Sequence, residues 1–187
     1  MIAIGVTGMP GSGKSLFSEA AKRLGLTVIK MGDIVFNATK RRGLPLTPDN
    51  VGKVATELRE KFGRDIIARK VIELLKEKST MISKKAIVIE GIRSPEEVKL
   101  FREFFDTFIL VAIHAPPNIR YTRLLQRGRQ DDSLSILKLI ERDLRELRFG
   151  IGDVIAMADE VLINKDKPYE EFLNECESLI KEILVRC

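Results

Sequence analysis

Eight residues near the amino terminus have the types and the spacing of a loop that binds phosphate groups. They match the pattern G-x-x-x-x-G-K-[ST] at every position, with a predicted strand before the pattern and a predicted helix after it. Glycines let backbone N–H groups turn toward phosphate oxygens, and the start of the helix adds positive potential. The sequence therefore predicts a nucleoside triphosphate site formed by Gly8, Met9, Pro10, Gly11, Ser12, Gly13, Lys14 and Ser15.

Two side chains of this loop and one acid beyond it are candidates for the chemistry of a bound triphosphate. Lys14 would reach the β- and γ-phosphates, and the Ser15 hydroxyl would ligate Mg²⁺. Glu90 follows an apolar run over 86–89, where a carboxylate can hold the Mg²⁺ shell, usually through water. Aspartate is commoner at such a position, so direct coordination by the longer Glu90 stays open. ATP and Mg²⁺ are the expected cofactors.

Three further residues are candidates for binding the acceptor of a phosphoryl group. Gly32 and Asp33 follow the second predicted strand, and Arg93 follows Glu90 by three residues. The Asp33 carboxylate could accept the proton of an attacking hydroxyl, although Asp also favours helix N-caps. With a phosphate as acceptor, Asp33 would act through Mg²⁺ or by orientation. The guanidinium of Arg93 suits a bidentate phosphate contact, or it is a solvated side chain before a helix.

Arginines are concentrated in the second half of the chain. Between residues 120 and 148 they are Arg120, Arg123, Arg127, Arg129, Arg142, Arg145 and Arg148. On a helix over 133–148, one face would carry Lys138, Arg142 and Arg145, and the opposite side Ile136, Leu137, Ile140, Leu144 and Leu147. The i,i+4 pairs Glu141–Arg145 and Arg142–Glu146 are typical of a solvated helix. Functional and solvated interpretations of Arg142 and Arg145 both stay open.

The elements that must position these residues alternate along the chain. Short β-rich runs at 2–7, 26–30, 84–89, 107–113 and 160–164 are separated by helical stretches, and helices are predicted at 16–24 and 169–186. This alternation indicates a parallel sheet covered on both faces, an α/β fold. Helix starts are predicted at Ser94, with a capping box, and at Thr47. Two helical inserts would lie at the carboxyl edge of the sheet, where such folds bind ligands.

Composition limits the class of protein. The chain has 187 residues, 44% of them apolar and 32% charged, which suits one folded domain and excludes disorder. Its longest purely apolar run, 108–113, is far shorter than the roughly 18 residues that cross a membrane. The two cysteines form no metal pattern, and the start of the chain resembles no secretion signal. The absence of tryptophan argues against single-stranded nucleic acid as a partner. We therefore expect a cytoplasmic protein.

Together these features resemble a known group of enzymes. The phosphate loop from residue 8, the pair Gly32-Asp33 and the segment Glu90-Gly91-Ile92-Arg93 look like those of small nucleotide and nucleoside kinases, the adenylate kinase and dephospho-CoA kinase group. Nearly the whole chain is similar to an archaeal set of adenylate-kinase-related P-loop proteins. The resemblance implies one three-layer α/β/α domain over 1–187, with a five-stranded parallel sheet in the order 2-3-1-4-5. It also implies an acceptor-binding insert at about 34–80 and a lid at about 127–150.

The resemblance also suggests roles for single residues. Arg93 would grip the phosphate of the acceptor, and Arg123 and Arg127 would close over the triphosphate and neutralise charge in the transition state. Asn164 follows the fifth strand, where related kinases pass the adenine ring, so its backbone or side chain could contact the base of ATP, or it could be a turn residue. In one departure from the adenylate kinase pattern, Phe36 stands where an arginine is expected. Part of the monophosphate clamp is then missing, or is moved to Arg41 or Arg42.

Two functional hypotheses follow from the sequence. The first is a kinase that transfers the γ-phosphoryl group of Mg-ATP to a small nucleotide-like acceptor. AMP is suggested by Gly32-Asp33 and Arg93, and dephospho-CoA by the Ala-Pro-Pro stretch at 115–117 and the segment 158–164. The second is a nucleotide-dependent switch or assembly ATPase of adenylate-kinase-like fold, with an RNA or protein partner.

Overall fold

Five strands form one sheet in which each strand runs parallel to its neighbours. The computed structural model describes residues 1–77, 86–127 and 135–187. Within them the sheet order is β2-β3-β1-β4-β5, which confirms the expected architecture. The strands are β1 (Ile2–Thr7), β2 (Thr27–Lys30), β3 (Ala86–Glu90), β4 (Thr107–His114) and β5 (Glu160–Ile163).

Helices connect the strands and cover both faces of the sheet. In the described ranges they are α1 (Lys14–Arg23), α2 (Met31–Arg41), α3 (Pro48–Phe62), α4 (Ile66–Glu77), α5 (Pro95–Phe104), α6 (Pro117–Arg127), α7 (Ile136–Phe149), α8 (Ile151–Ala156) and α9 (Tyr169–Arg186). No helix in this part of the chain is both long and apolar enough to span a membrane. Outside the described residues lie Arg129, the first two residues of the predicted strand 84–89, the end of the insert 34–80 and part of the lid 127–150.

Two apolar cores hold the layers together. One lies between the sheet and α1 with α9, where Phe17 and Phe172 are fully buried. The other lies between the opposite face and helices α2 to α5, and it includes the fully buried Phe101. Near-continuous burial of β1, β3 and β4 is what a parallel sheet covered on both faces requires. The phosphate loop and the residues that follow β3 and β5 therefore meet at the carboxyl edge of a rigid sheet.

Local signals fix the starts of two helices, α5 and α3. Ser94 Oγ accepts a hydrogen bond from the Glu97 N–H in the predicted capping box, so Arg93 directly precedes α5. Thr47 caps α3 as expected. The alternative of Asp33 as an N-cap is wrong, because α2 already begins at Met31 and Lys30 occupies the cap position. Asp33 lies instead in the first turn of α2, where a carboxylate complements the helix dipole.

Candidate phosphoryl-transfer site

The loop between β1 and α1 has a backbone that only glycine adopts easily. Gly8, Gly11 and Gly13 have φ values of 142°, 81° and 111°. At Gly13 a Cβ atom would lie 2.2 Å from Asn164 Nδ2. Glycine at this position thus permits both the turn into α1 and the close approach of a side chain from the far edge of the sheet.

Lys14, the first residue of α1, folds back over this loop. Its Nζ donates hydrogen bonds to the carbonyl oxygens of Gly8 at 2.6 Å and Met9 at 3.1 Å. Burial lowers the pKa of Lys14 from 10.5 to about 8, although the negative charge of Glu90 opposes this effect. An ammonium group with a depressed pKa gains from any anion placed beside it. A bound phosphate would therefore stabilise the charged form of Lys14.

A buried ion pair braces the outer side of the loop. Arg120 of α6 donates from Nη1 to the Pro10 carbonyl at 3.0 Å and is paired through two nitrogens with Asp143 of α7, at 3.0 and 2.6 Å. The hydroxyl of Tyr121 donates to the same carboxylate. Arg120 is 3% exposed and does not line the cavity above the loop, so it supports the loop from the protein interior. This differs from the expectation of a lid arginine, and Asp143 was not among the residues predicted from the sequence to contact it.

Asn164 braces the opposite side of the loop. Its Nδ2 donates to the Ser12 carbonyl at 2.9 Å, and its two oxygens accept hydrogen bonds from Arg123 Nη2 at 3.2 and 3.1 Å. Arg123 Nη1 is buried and donates no hydrogen bond to any of the described residues. Arg123 also forms part of the wall of the cavity described next. A contact between Asn164 and an adenine ring stays a prediction, because its amide nitrogen is engaged by the loop.

One cavity of about 380 Å³ opens above the loop and brings the predicted residues together. From the loop it is lined by Gly8, Pro10, Gly11, Gly13, Lys14 and Ser15, whereas Met9 and Ser12 are not part of its wall. From elsewhere come Gly32, Asp33, Glu90, Arg93, Arg123, Arg127 and Asn164. Their proximity makes a common function possible, while the role of each residue stays a prediction.

The wall of the cavity offers oxygen atoms for a hard cation. Glu90 ends β3, and its Oε2 accepts a hydrogen bond of 2.5 Å from Ser18 Oγ. Ser15 lines the same cavity. Among the described residues, no group of three or more His, Cys, Asp or Glu side chains could hold a metal ion by itself. One hydroxyl, one carboxylate and the phosphates of a ligand would suit Mg²⁺, which keeps several waters and needs few protein ligands.

The side of the cavity toward α2 differs from the expected clamp. Phe36 lines the cavity, as does the exposed Asp33 one turn earlier. Arg42 instead pairs with Glu57 at 2.6 Å on the surface, and Arg41 is exposed beside it. Neither arginine is part of the cavity wall, so the suggestion that the clamp moved to them finds no support in the geometry.

Helix α7 contributes one arginine and one carboxylate to the wall of the cavity. Arg142 and Glu146 line the cavity, and Glu146 Oε2 lies 2.7 Å from Arg93 Nε. Burial by itself would raise the pKa of Glu146, but nearby guanidinium charges, chiefly those of Arg93 and Arg142, hold it below its ordinary value. Glu146 is 3% exposed. Its interpretation as part of a solvated i,i+4 pair is therefore wrong.

Five apolar residues of α7 occupy the opposite side of the helix. They are between 39% and 72% exposed: Ile136, Leu137, Ile140, Leu144 and Leu147. The face turned inward carries Leu139, Asp143, Glu146 and Phe149. Both this set and the exposed apolar set have helical spacing, so spacing alone could not identify the two buried carboxylates.

Comparisons with known proteins agree with this architecture. Residues 7–138 match the family model described as AAA domain. The UPF0200 protein MJ1399 of Methanocaldococcus jannaschii is 47% identical over 184 residues, which cover 98% of this chain and 91% of that protein.

Solved structures of kinases share the fold at low sequence identity. A shikimate kinase from Bacteroides thetaiotaomicron has a TM-score of 0.61 at 17% identity, with 96% of this chain and 98% of that chain covered. A gluconokinase from Sinorhizobium meliloti has a TM-score of 0.54 at 18% identity, with 98% and 94% covered. The chain therefore belongs to the UPF0200 protein family and contains an AAA domain.

Proposed function

We propose that the protein is a kinase that transfers the γ-phosphoryl group of Mg-ATP to a small acceptor. The observation that carries this proposal is the single cavity in which the phosphate loop faces Arg93, Arg142 and Asp33. A triphosphate on the loop and an acceptor beside α2 would fill one continuous space. Transfer between two bound molecules requires such proximity, because most of the catalysis lies in positioning and in neutralising charge.

The residues of the loop fit a nucleotide. Three glycines with positive φ shape the loop, and Lys14 Nζ donates to the Gly8 carbonyl of that loop. Arg123 also has a buried N–H donor without an acceptor among the described residues, which a nucleotide could supply. When bound, Mg-ATP supplies the phosphoryl group, and the metal neutralises part of its charge. Ser15 and Glu90 would hold the cation, and the Lys14 ammonium would stabilise the negative charge that develops on the leaving oxygen of ADP.

The acceptor would lie between Asp33 and the arginines of the far wall. An acceptor hydroxyl would lose its proton to the Asp33 carboxylate as its oxygen bonds to the γ-phosphorus and the bond to ADP breaks. An acceptor phosphate needs no such base. We propose a nucleotide-like acceptor, as in adenylate kinase or dephospho-CoA kinase, because the wall opposite the loop is cationic.

In this proposal the insert 34–80 holds the acceptor, and the segment 127–150 acts as a lid whose closure excludes water. An open site would hydrolyse ATP instead of transferring its phosphoryl group. Arg123 and Arg127 lie at the end of α6, where they would meet the triphosphate.

The experiment is ³¹P NMR of the protein with Mg-ATP and, in separate samples, AMP, other monophosphates, dephospho-CoA, shikimate and gluconate. ADP together with a new phosphorylated product supports the kinase and identifies its acceptor. Lys14→Ala is the control and should form no product while it keeps the far-ultraviolet circular dichroism of the wild type. Wild-type turnover in this variant would refute the nucleotide site.

A switch or assembly ATPase is the second candidate. The exposed apolar side of α7 favours it, because contiguous apolar surface often marks a contact with another macromolecule. Slow formation of ADP and free phosphate, with none of the acceptors consumed, would support this candidate over the kinase.

A further inference from the structure

The carboxylate of Glu90 has a partner behind the cavity wall, the hydroxyl of Ser18. Ser18 Oγ donates a hydrogen bond to Glu90 Oε2 at 2.5 Å, a length typical of a hydroxyl that donates to an ionised carboxylate. Ser18 is 2% exposed and does not line the cavity, whereas Glu90 does. The hydroxyl therefore reaches the carboxylate from the protein interior and leaves its cavity side open.

The position of Ser18 follows from the helix that begins at the phosphate loop. Lys14, Ser15 and Ser18 all lie in the first part of α1, and residues three and four apart share one face of a helix. Glu90 ends β3, which is paired with β1, the strand that leads into the loop. Ser18 therefore links the helix that would hold the nucleotide to the strand that carries the acid.

The partner of Ser18 differs from that of other hydroxyl groups in the helices of this protein. Thr39, Thr56 and Thr122 each donate to the carbonyl oxygen four residues earlier, at 2.8 or 3.0 Å. This local bond is a common choice for Ser and Thr within a helix. Ser18 could form the same bond within α1, yet its hydroxyl donates across the interface between helix and sheet to Glu90. The contact is therefore not a consequence of helix geometry alone.

The bond from Ser18 leaves the second oxygen of Glu90 available to a ligand. No hydrogen bond from the described residues reaches Oε1, and this atom is not among their buried unpaired atoms. It is therefore accessible from the cavity. A glutamate has one more rotatable bond than an aspartate, and ordering a flexible side chain around a cation costs conformational entropy. Because Oε2 is already fixed in the protein without ligand, part of this cost does not arise on binding.

We propose that Ser18 is a positioning residue for the cation that accompanies the nucleotide: it holds Glu90 Oε2 so that Oε1 faces the Mg²⁺ shell. The hydroxyl contacts neither the nucleotide nor the cation and acts only through the carboxylate. In this way Ser18 compensates for the greater length of glutamate at a position where aspartate is commoner. This inference rests on the proposed function, because Glu90 is treated as part of the Mg²⁺ shell.

The test is a titration with Mg²⁺ in the presence of a fluorescent, non-hydrolysable ATP analogue, which measures the Mg²⁺ concentration at half-maximal nucleotide binding. Ser18→Ala should raise this concentration about tenfold, as the loss of an outer-shell partner of a metal ligand does. Binding of the analogue without Mg²⁺ should not change, because Ser18 does not line the cavity. The matched control is Ser178→Ala, which removes an exposed hydroxyl from α9 and should keep the wild-type Mg²⁺ requirement.

A double-mutant cycle separates positioning from a purely structural role. If Ser18 acts through Glu90, adding Ser18→Ala to Glu90→Gln should change the Mg²⁺ requirement by no more than about twofold, the usual error of additivity. Glu90→Asp keeps the charge but shortens the side chain, so Ser18→Ala should have equally little effect in that background. Ser18→Cys keeps the size of the side chain and a weak donor, and its requirement should lie between those of Ser18→Ala and the wild type. A hydroxyl that only ties α1 to β3 would alter the melting temperature without altering the Mg²⁺ requirement.

Two results would overturn the inference. They are an unchanged Mg²⁺ requirement in Ser18→Ala, and an increase caused by Ser18→Ala that persists in full in the Glu90→Gln background. If the wild type still binds the analogue and transfers phosphate to an acceptor in the ³¹P NMR experiment, the proposed function survives either result. If the wild type binds the analogue neither with nor without Mg²⁺, the proposed function fails, and the inference fails with it.

Discussion

Nucleotide affinity should fall as the pH rises above 8, because Lys14 loses its charge there. In the protein without nucleotide, burial lowers the pKa of the Lys14 ammonium to about 8 from its ordinary 10.5. A triphosphate held against Nζ favours the charged form and returns the pKa to at least its ordinary value. Above pH 8 the complex therefore binds one more proton than the empty protein, so affinity decreases with pH.

The size of the effect follows from these two pKa values. If the complex has the ordinary pKa of 10.5 and the empty site a pKa of about 8, affinity at pH 9 is about tenfold lower than at pH 7, which corresponds to ~1.4 kcal/mol. The assay is calorimetric titration with a non-hydrolysable Mg-ATP analogue at several pH values. Buffers of different ionisation enthalpy report the uptake of close to one proton at pH 9.

Two matched variants separate Lys14 from other titrating groups. Lys14→Arg carries a charge that does not titrate in this range, so whatever affinity it retains should depend on pH only through the ligand. Lys167 lies in the wall of the same cavity, 2.6 Å from both carboxylate oxygens of Glu175. Lys167→Arg should keep the wild-type pH dependence. Release of protons on binding, or a wild-type profile no steeper than that of Lys14→Arg, would refute the reasoning.

The lowered pKa of Lys14 has the opposite effect on the stability of the protein without nucleotide: its contribution to the free energy of unfolding increases with pH, whereas nucleotide affinity decreases. The unfolded chain keeps the Lys14 proton up to about pH 10.5, whereas the folded protein loses it near pH 8. Between these values the unfolded state binds more protons, so the contribution of Lys14 to the free energy of unfolding increases with pH. Lys14→Met should remove this contribution, and chemical unfolding of the variant and the wild type at two pH values measures it.

Three substitutions test the supports of the site. Asp143→Ala leaves the buried Arg120 without its carboxylate and should cost about 3 kcal/mol; a melting temperature lowered by less than ~3 °C would contradict the role of this pair. Gly13→Ala forces a side chain into positive φ and against Asn164, so we expect at least ~1 kcal/mol of destabilisation and loss of nucleotide binding; unchanged binding would be the contrary result. Glu90→Gln should raise the Mg²⁺ concentration needed for nucleotide binding by about 10–100-fold. The assay is a titration with Mg²⁺ in the presence of a fluorescent ATP analogue, and an unchanged Mg²⁺ requirement would contradict the role of Glu90.

Local patterns predicted the sheet and most of the cavity. Each strand reads as a short run of β-branched and apolar residues, and a parallel order brings the ends of β1, β3 and β5 to one edge whatever the intervening helices do. That is why Lys14, Glu90 and Asn164 could be assigned to one region from the sequence. The start of α5 could also be predicted locally, because the capping box at Ser94 involves residues only three positions apart.

The orientation of α7 could not be predicted in the same way. An amphipathic pattern normally turns its apolar stripe toward the core, yet Leu137 and Leu144 are exposed and Glu146 is buried. The inward carboxylates are stabilised by Arg120 and Arg93, which come from distant parts of the chain. Such pairs depend on tertiary geometry, and a periodicity counted along one helix cannot reveal them.

The two carboxylates of α7 give this helix a mechanical role. Asp143 is paired with Arg120, which donates to the phosphate loop, and Glu146, one turn later, is paired with Arg93 in the proposed acceptor site. A helix is rigid over one turn, so a shift of α7 that moves one carboxylate must move the other. An acceptor that draws Arg93 or Glu146 toward itself would therefore change the support of the loop at Pro10. Nucleotide affinity and acceptor affinity should be coupled through α7, and by linkage each ligand must change the affinity of the other by the same factor.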